Sequence, residues 1–77
     1  MALKALSPRQ IECLRRIASG ETSNDIATAL GLSSRTVDHY ISNACSRLGV
    51  RSRSQAVARA IGLGVIPPDP ATNPPPP

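Results

Sequence analysis

Apolar residues recur at helical intervals along most of this 77-residue chain. After Ser7, for example, Ile11, Leu14 and Ala18 stand three or four residues apart and would lie on one face of a helix. Three further segments show the same period, and none alternates apolar and polar residues as a β-strand does. The pattern predicts an all-α domain with helices over about residues 8–19, 23–30, 34–48 and 53–62.

The ends of these helices carry signals of their own. Ser7–Gln10 and Ser52–Gln55 each place a serine three residues before a glutamine, which is the order of a capping box at a helix start. Thr22 or Ser23 can cap the second helix. Gly31, followed by an apolar residue, is typical of a helix end. The predicted helices therefore have defined starts and stops.

The connection between the second and third helices is short, because Gly31 and Leu32 are its main residues. A turn this tight suits two helices that cross steeply, as in a helix-turn-helix. Gly31 allows a left-handed backbone in the turn, and the small side chain of Ala27 allows the third helix to approach closely. We expect Val37 to pack back against Ile26 and Ala27, which would close the motif.

The positive charge of the chain makes the predicted helical domain a candidate for binding nucleic acid. The chain has nine Lys and Arg against five Asp and Glu, a net charge of +4 and a pI of about 10.1. Seven of its eight prolines lie in residues 67–77, which we predict to be a disordered Pro-rich tail. A lead-in over residues 1–6 and a folded domain over 7–66 precede it. Residues 1–66 carry a net charge of +5, which favours a polyanionic partner.

Catalytic, metal-binding and membrane-spanning patterns are missing from the sequence. His39 is the single histidine, and Cys13 and Cys45 lack metal-ligand spacing, so we interpret both cysteines as buried thiols. No paired carboxylates and no nucleophile with an assured base are present. The longest uncharged apolar stretch, Ile61–Ile66, has six residues and is too short for a membrane span. We expect no enzyme, cofactor or metal, and a cytoplasmic, nucleoid-associated location.

These motifs together resemble the LuxR-type (GerE-type) DNA-binding domain of bacterial transcription regulators. The resemblance covers Leu6 to Ile66 and implies a four-helix domain whose third helix enters the major groove. It also implies dimers formed partly through the fourth helix, which act as activators or repressors. The segments that carry the resemblance are Leu6–Arg9, Ser23–Ala27, Leu30–Ser33, Thr36–Val37, Leu48–Val50 and Ser52–Val57.

The chain departs from this family pattern in its third helix. Many members carry Lys after the Thr-Val pair and His two positions further on, where this chain has Asp38 and Tyr40. Its histidine, His39, stands one place earlier. The pair Asn43–Ala44, and an ending soon after Gly64–Ile66, look more like the quorum-sensing branch of the family than the response-regulator branch.

The polar side of the third helix supplies candidate base-reading residues, since the first turns of a recognition helix reach base edges. Arginine suits guanine, asparagine suits adenine, and a carboxylate can accept from cytosine. A carboxylate near phosphates is unusual, so Asp38 can equally orient Arg35 or act against wrong sites. The candidates are Arg35, Asp38, His39, Ser42 and Asn43.

A second set of residues is predicted to contact DNA phosphates, which provide the larger part of such interfaces. The start of the second helix can offer backbone N–H groups, although capping alone also explains its residues. Tyr40 can contact a phosphate or lie half-buried with its hydroxyl in water. The set comprises Ser23, Asn24, Thr36, Tyr40, Arg47, Arg51 and Arg53.

The leading hypothesis is sequence-specific binding of double-stranded DNA in transcription regulation, as a dimer on a two-half-site operator. RNA polymerase is a further candidate partner. The homodimer would be weak in isolation, because the small residues of the fourth helix bury little area. The alternative is an interaction module that forms inactive heterodimers with a larger LuxR-type regulator. The predicted dimer residues are Ala56, Arg59, Ala60 and Leu63.

Overall fold

A computed structural model describes residues 6–67, which form four helices and, within that range, no β-strand. In chain order they are α1 (Pro8–Ala18), α2 (Ser23–Leu30), α3 (Ser34–Leu48) and α4 (Arg53–Gly62). The all-α, four-helix prediction is confirmed. The predicted disorder of the tail concerns residues 68–77, and most of the predicted lead-in is residues 1–5; both lie outside the described range.

Side-chain caps begin the helices at the predicted signals. Ser7 Oγ accepts from the Gln10 N–H at 3.1 Å, and Gln10 Oε1 accepts from the Ser7 N–H at 2.8 Å. Ser52 and Gln55 form the same capping box at the start of α4. For α2 the cap is Thr22, so Ser23 is the first helical residue and its hydroxyl is available for other contacts.

The turn between α2 and α3 has the predicted left-handed residue. Gly31 has φ 70° and ψ 34°, and its N–H donates to the Ala27 carbonyl. The Leu32 N–H donates to the same carbonyl at 2.9 Å, which closes the end of α2. Ala27, Ile26 and Val37 are buried in one apolar cluster, so the expected packing across the turn is confirmed.

The core consists of two apolar clusters that meet at α3. One cluster joins α1, α2 and α3, and includes Ile26 and Val37. The other joins α1, α3 and α4, and Ile66 closes it after the last helix. Cys45 packs against both clusters. Because both clusters hold α3, its orientation is fixed from two sides, and its remaining face is directed away from the domain.

Candidate nucleic-acid interface

The exposed side of α3 carries two rows of polar side chains. Arg35, His39 and Asn43 stand four residues apart and form the first row. Asp38 and Ser42, also four apart, form the second row beside it. All five predicted base-reading residues are exposed, which is the arrangement expected of a helix that reads a surface outside the domain.

The first row lies along a shallow groove that Thr36 and Tyr40 help to line. Within residues 6–67, the side chains of Arg35, His39 and Asn43 make no hydrogen bond or ion pair. Guanidinium, imidazole and amide groups are strong hydrogen-bonding groups. A row of three such groups whose side chains lack a partner within the described residues is suited to an external partner.

The second row differs, because Asp38 is bound within the domain. Asp38 Oδ1 accepts from Ser23 Oγ at 2.5 Å and from Arg53 Nη2 at 3.3 Å. Arg53 Nη1 also donates to Ser23 Oγ at 3.2 Å. These three residues, here called the Ser23–Asp38–Arg53 cluster, connect the starts of α2 and α4 with the second turn of α3.

The hydrogen bond from the Ser23 hydroxyl, with the neighbouring Arg53 guanidinium, lowers the pKa of Asp38 below its ordinary value. None of the hydrogen bonds or ion pairs of Asp38 within the described residues involves Arg35, so the structure does not support the orientation of Arg35 by Asp38. Asp38 pairs with Arg53, fifteen residues further along the chain. Sequence spacing gives no signal for this pair, because it depends on how α4 begins beside α3.

The start of α2 presents backbone donors as well as the Ser23 hydroxyl. Its capping box uses the N–H groups of Thr22 and Asp25, and the Ile26 N–H donates to the Thr22 carbonyl. Neither the cap nor the first turn uses the N–H groups of Ser23 and Asn24. Capping therefore explains Thr22 but leaves two donors at a helix end that favours anions.

Thr36 and Tyr40 are less accessible than the five base-reading candidates. The Thr36 hydroxyl lies 2.9 Å from Ser33 Oγ, so it takes part in the cap of α3. Tyr40 is half-buried and packs against the cluster that contains Ile26 and Val37. This matches the half-buried interpretation of Tyr40, which also helps to line the groove of the first row.

The arginines predicted to contact phosphates flank the second row. Arg51 and Arg53 line a groove together with Asp38 and Ser42, where α3 passes the start of α4. Arg47 lies in the last turn of α3 and is exposed. The structure thus brings Arg51 and Arg53 to one side of α3 and adds Ser23 to them through the Ser23–Asp38–Arg53 cluster.

The predicted dimer surface on α4 requires a correction. Ala56 and Ala60 have no exposed area, because they face the core beside Leu14 and Leu48. They are therefore not available to a second subunit. Arg59 is exposed, and Leu63 is the one large apolar side chain among the described residues that is markedly exposed, at 45%.

A shallow groove surrounds Leu63 on the outer side of α4 and includes residues that the sequence reasoning missed. Val50, Ala58 and Gly62 line this groove with Arg59 and Leu63. Ala58 and Gly62 stand one helical turn apart, and that spacing opposite the buried alanines is the signal that would have found them.

Within the described range, no helix is long or apolar enough to span a membrane.

Comparison with known proteins identifies the family of this chain. The family described as bacterial regulatory proteins, luxR family (GerE), matches residues 4–60. The chain belongs to this family. The matched segment corresponds to the family's helix-turn-helix DNA-binding domain, so the resemblance drawn from the sequence is confirmed. The family is one of transcription regulators and is not a class of enzymes.

Relatives and a solved structure agree with this assignment. The chain is 43% identical over 61 residues to the quorum sensing-dependent transcriptional regulator VjbR of Brucella ovis, covering 79% of the chain and 24% of VjbR. It is 47% identical over 58 residues to the probable regulator GfsR of Streptomyces halstedii, covering 75% of the chain and 24% of GfsR. The chain thus spans about a quarter of the length of these relatives.

The structure of the transcription factor GerE superposes on this fold with a TM-score of 0.77 and 33% sequence identity. The superposition covers 82% of this chain and 96% of the GerE chain. The four-helix fold of this chain is therefore the fold of the GerE structure.

Proposed function

We propose that this domain binds double-stranded DNA sequence-specifically, with α3 in the major groove. The observation that carries the proposal is the row Arg35, His39 and Asn43, whose side chains have no partner within the described residues. A helix of this diameter fits the width of the major groove. Two core clusters hold α3 in place, which supports a rigid presentation of the row.

Base reading and phosphate binding fall to different parts of the surface in this proposal. Arg35, His39 and Asn43 read base edges, and Ser42 lies close enough along α3 to assist. The exposed Arg47 and Arg51 contact phosphates on the flanks of the groove. The N–H groups of Ser23 and Asn24, which the cap and first turn of α2 leave unused, offer a further phosphate contact at the start of α2.

The proposal extends to the assembly of this domain into dimers. Dimers on a two-half-site operator would use the groove around Leu63 and Arg59 in place of the buried alanines. The groove is shallow, and Ala58 and Gly62 add little contact area to it, so the dimer of the isolated chain would be weak. We place such a regulator in the cytoplasm at the nucleoid, with RNA polymerase as a candidate partner. Of the two branches of the family, the quorum-sensing branch is the one that we propose for it.

Selection of binding sites from random duplex DNA with the full chain tests the proposal. We expect an enriched motif, and a motif with two-fold symmetry if the chain binds as a dimer. The matched control is Ser46→Ala, an exposed change near the other end of α3 that should leave the motif unchanged. No enrichment, combined with tight binding to a full-length LuxR-type protein, would favour the interaction module instead.

A further inference from the structure

We propose that Asp38 competes with a DNA phosphate for Ser23 and Arg53. In this view the two side chains form one phosphate-binding pair, and Asp38 occupies that pair while the protein is free. The inference rests on the proposed function, because it concerns the same interface. It assigns Asp38 the role of lowering affinity for DNA, in place of a contact that adds to it.

The geometry of the Ser23–Asp38–Arg53 cluster supports this role. One carboxylate oxygen, Oδ1 of Asp38, accepts from both the Ser23 hydroxyl and the Arg53 guanidinium. A phosphate oxygen is an acceptor for the same two donors. Ser23 and Arg53 are each the first residue of a helix, α2 and α4, where backbone N–H groups also favour an anion.

The cluster is exposed enough for an exchange of partners. The side chains of Arg53 and Asp38 retain 45% and 54% of their accessible surface. Ion pairs with this exposure are weak, since water and salt screen them. A phosphate can therefore take the place of the Asp38 carboxylate through side-chain rotation alone, without movement of the helices.

Asp38 is also the single acidic residue in α3, so its charge bears directly on DNA binding. While Asp38 holds Arg53, that arginine is partly neutralised and contributes less to phosphate attraction. When Arg53 turns to a phosphate, the carboxylate stays behind beside a polyanion. Both effects oppose binding to any sequence, which separates this role from the reading of one base.

The test compares the full chain with Asp38→Asn on a short duplex of mixed sequence, by fluorescence anisotropy at several salt concentrations. Asparagine keeps the shape and the acceptor for Ser23 but removes the charge that holds Arg53. We expect about two- to fivefold tighter binding, the range that corresponds to an exposed ion pair. We also expect a log–log salt slope that is steeper by up to about 0.9, because in the parent the ion pair that Asp38 loses on binding offsets the phosphate contact that Arg53 gains.

The same substitution in an Arg53→Gln background decides whether Arg53 is responsible. If Asp38 acts by holding Arg53, the gain from Asp38→Asn shrinks when that arginine is absent. An equal gain in both backgrounds would mean simple charge repulsion and would overturn the inference. Unchanged or weaker binding by Asp38→Asn would also overturn it, because Asp38 would then orient Arg53 for DNA or read a base itself.

Asp25→Asn is the matched control, since it removes the same charge from the neighbouring α2. Asp25 accepts from the Thr22 N–H and not from an arginine, so we expect a smaller gain than for Asp38→Asn. Circular dichroism melts check that all variants fold. If the parent chain binds no duplex even at low salt, the proposed function fails; if the parent binds and the variant shows no gain, only this inference fails.

Discussion

The two faces of α3 differ in how many of their side chains find partners within the domain itself. Val37, Ile41, Ala44 and Leu48 lie on the buried face and contact apolar residues of the other three helices. On the exposed face, the side chains of the Arg35 row have no partner within the described residues. The buried face therefore accounts for the fold, while the exposed face has hydrogen-bonding capacity that the fold does not use.

The exposed face is itself divided, and this second difference bears on function. The side chains of the Arg35 row have no partner among residues 6–67, whereas Asp38 is engaged with Ser23 and Arg53. Exposure alone would rank all these residues equally as candidate contacts. The internal hydrogen bonds separate the exposed residues that have no partner within residues 6–67 from Asp38, which would have to release Ser23 and Arg53 before it could contact another molecule.

The largest expected effect comes from breaking the buried face. Ile41→Ala should destabilise the domain by about 2–5 kcal/mol, because Ile41 is almost fully buried and its removal leaves a cavity. Urea unfolding followed by circular dichroism measures this change. The control is Ser42→Ala on the exposed face, which should change stability by less than about 0.5 kcal/mol. Similar losses for both variants would contradict the division between the faces.

The next effect concerns the row formed by Arg35, His39 and Asn43 on the exposed face. Asn43→Ala should relax the preference at one base position by about 1–3 kcal/mol and leave the free energy of unfolding nearly unchanged. Arg47→Ala should instead weaken binding to all sequences alike and make the salt slope shallower by about one. Competition titrations with single-base variants of the selected site measure both changes. An unaltered site preference in Asn43→Ala would remove it from the base-reading set.

The smallest effect is a pH dependence that involves Asp38 on the exposed face. Its pKa is lowered in the folded protein from an ordinary value of 3.8, chiefly by the Ser23 hydroxyl. Its contribution to stability is therefore present above that value and is lost as the pH falls through the lower folded value. Thermal melts between about pH 5 and pH 2 should show this loss, and Asp38→Asn should make the dependence shallower. A steeper dependence in the variant would contradict the sign.

Glu12, which lies on α1, also contributes to the loss of stability at acidic pH. Hydrogen bonds from Arg16 and Arg15, at 2.7 and 2.8 Å, lower its pKa in the folded state. The stability that Glu12 contributes is also lost as the pH falls, as it is for Asp38. The Glu12→Gln variant measures that share separately, because Glu12 lies on α1 and makes no contact with the Ser23–Asp38–Arg53 cluster.

The buried face of α3 could be predicted from the sequence, whereas the partners on its exposed face could not. The buried face could be predicted because helical periodicity depends only on neighbouring residues, and the caps at Ser7 and Ser52 depend on residues three positions apart. The turn at Gly31 could be predicted for the same reason. These local signals were enough to give the four-helix fold.

The partners on the surface could not be predicted in this way. The bond between Asp38 and Arg53 depends on where α4 begins in space relative to α3, which no local spacing encodes. Small residues such as the alanines of α4 fit either a close helix contact or a second subunit, so the sequence alone does not separate the two. Burial of Ala56 and Ala60 assigns them to the close contact within the domain.

Salt dependence of DNA binding is the measurement that tests the central claim most directly. About five phosphate contacts, drawn from the arginines beside α3 and the start of α2, predict that the logarithm of the binding constant falls with the logarithm of salt concentration at a slope of about −4 to −5. The full chain on its selected duplex should show that slope between about 50 and 200 mM salt. Binding that does not change with salt, or no binding at the low end of this range, would contradict the account.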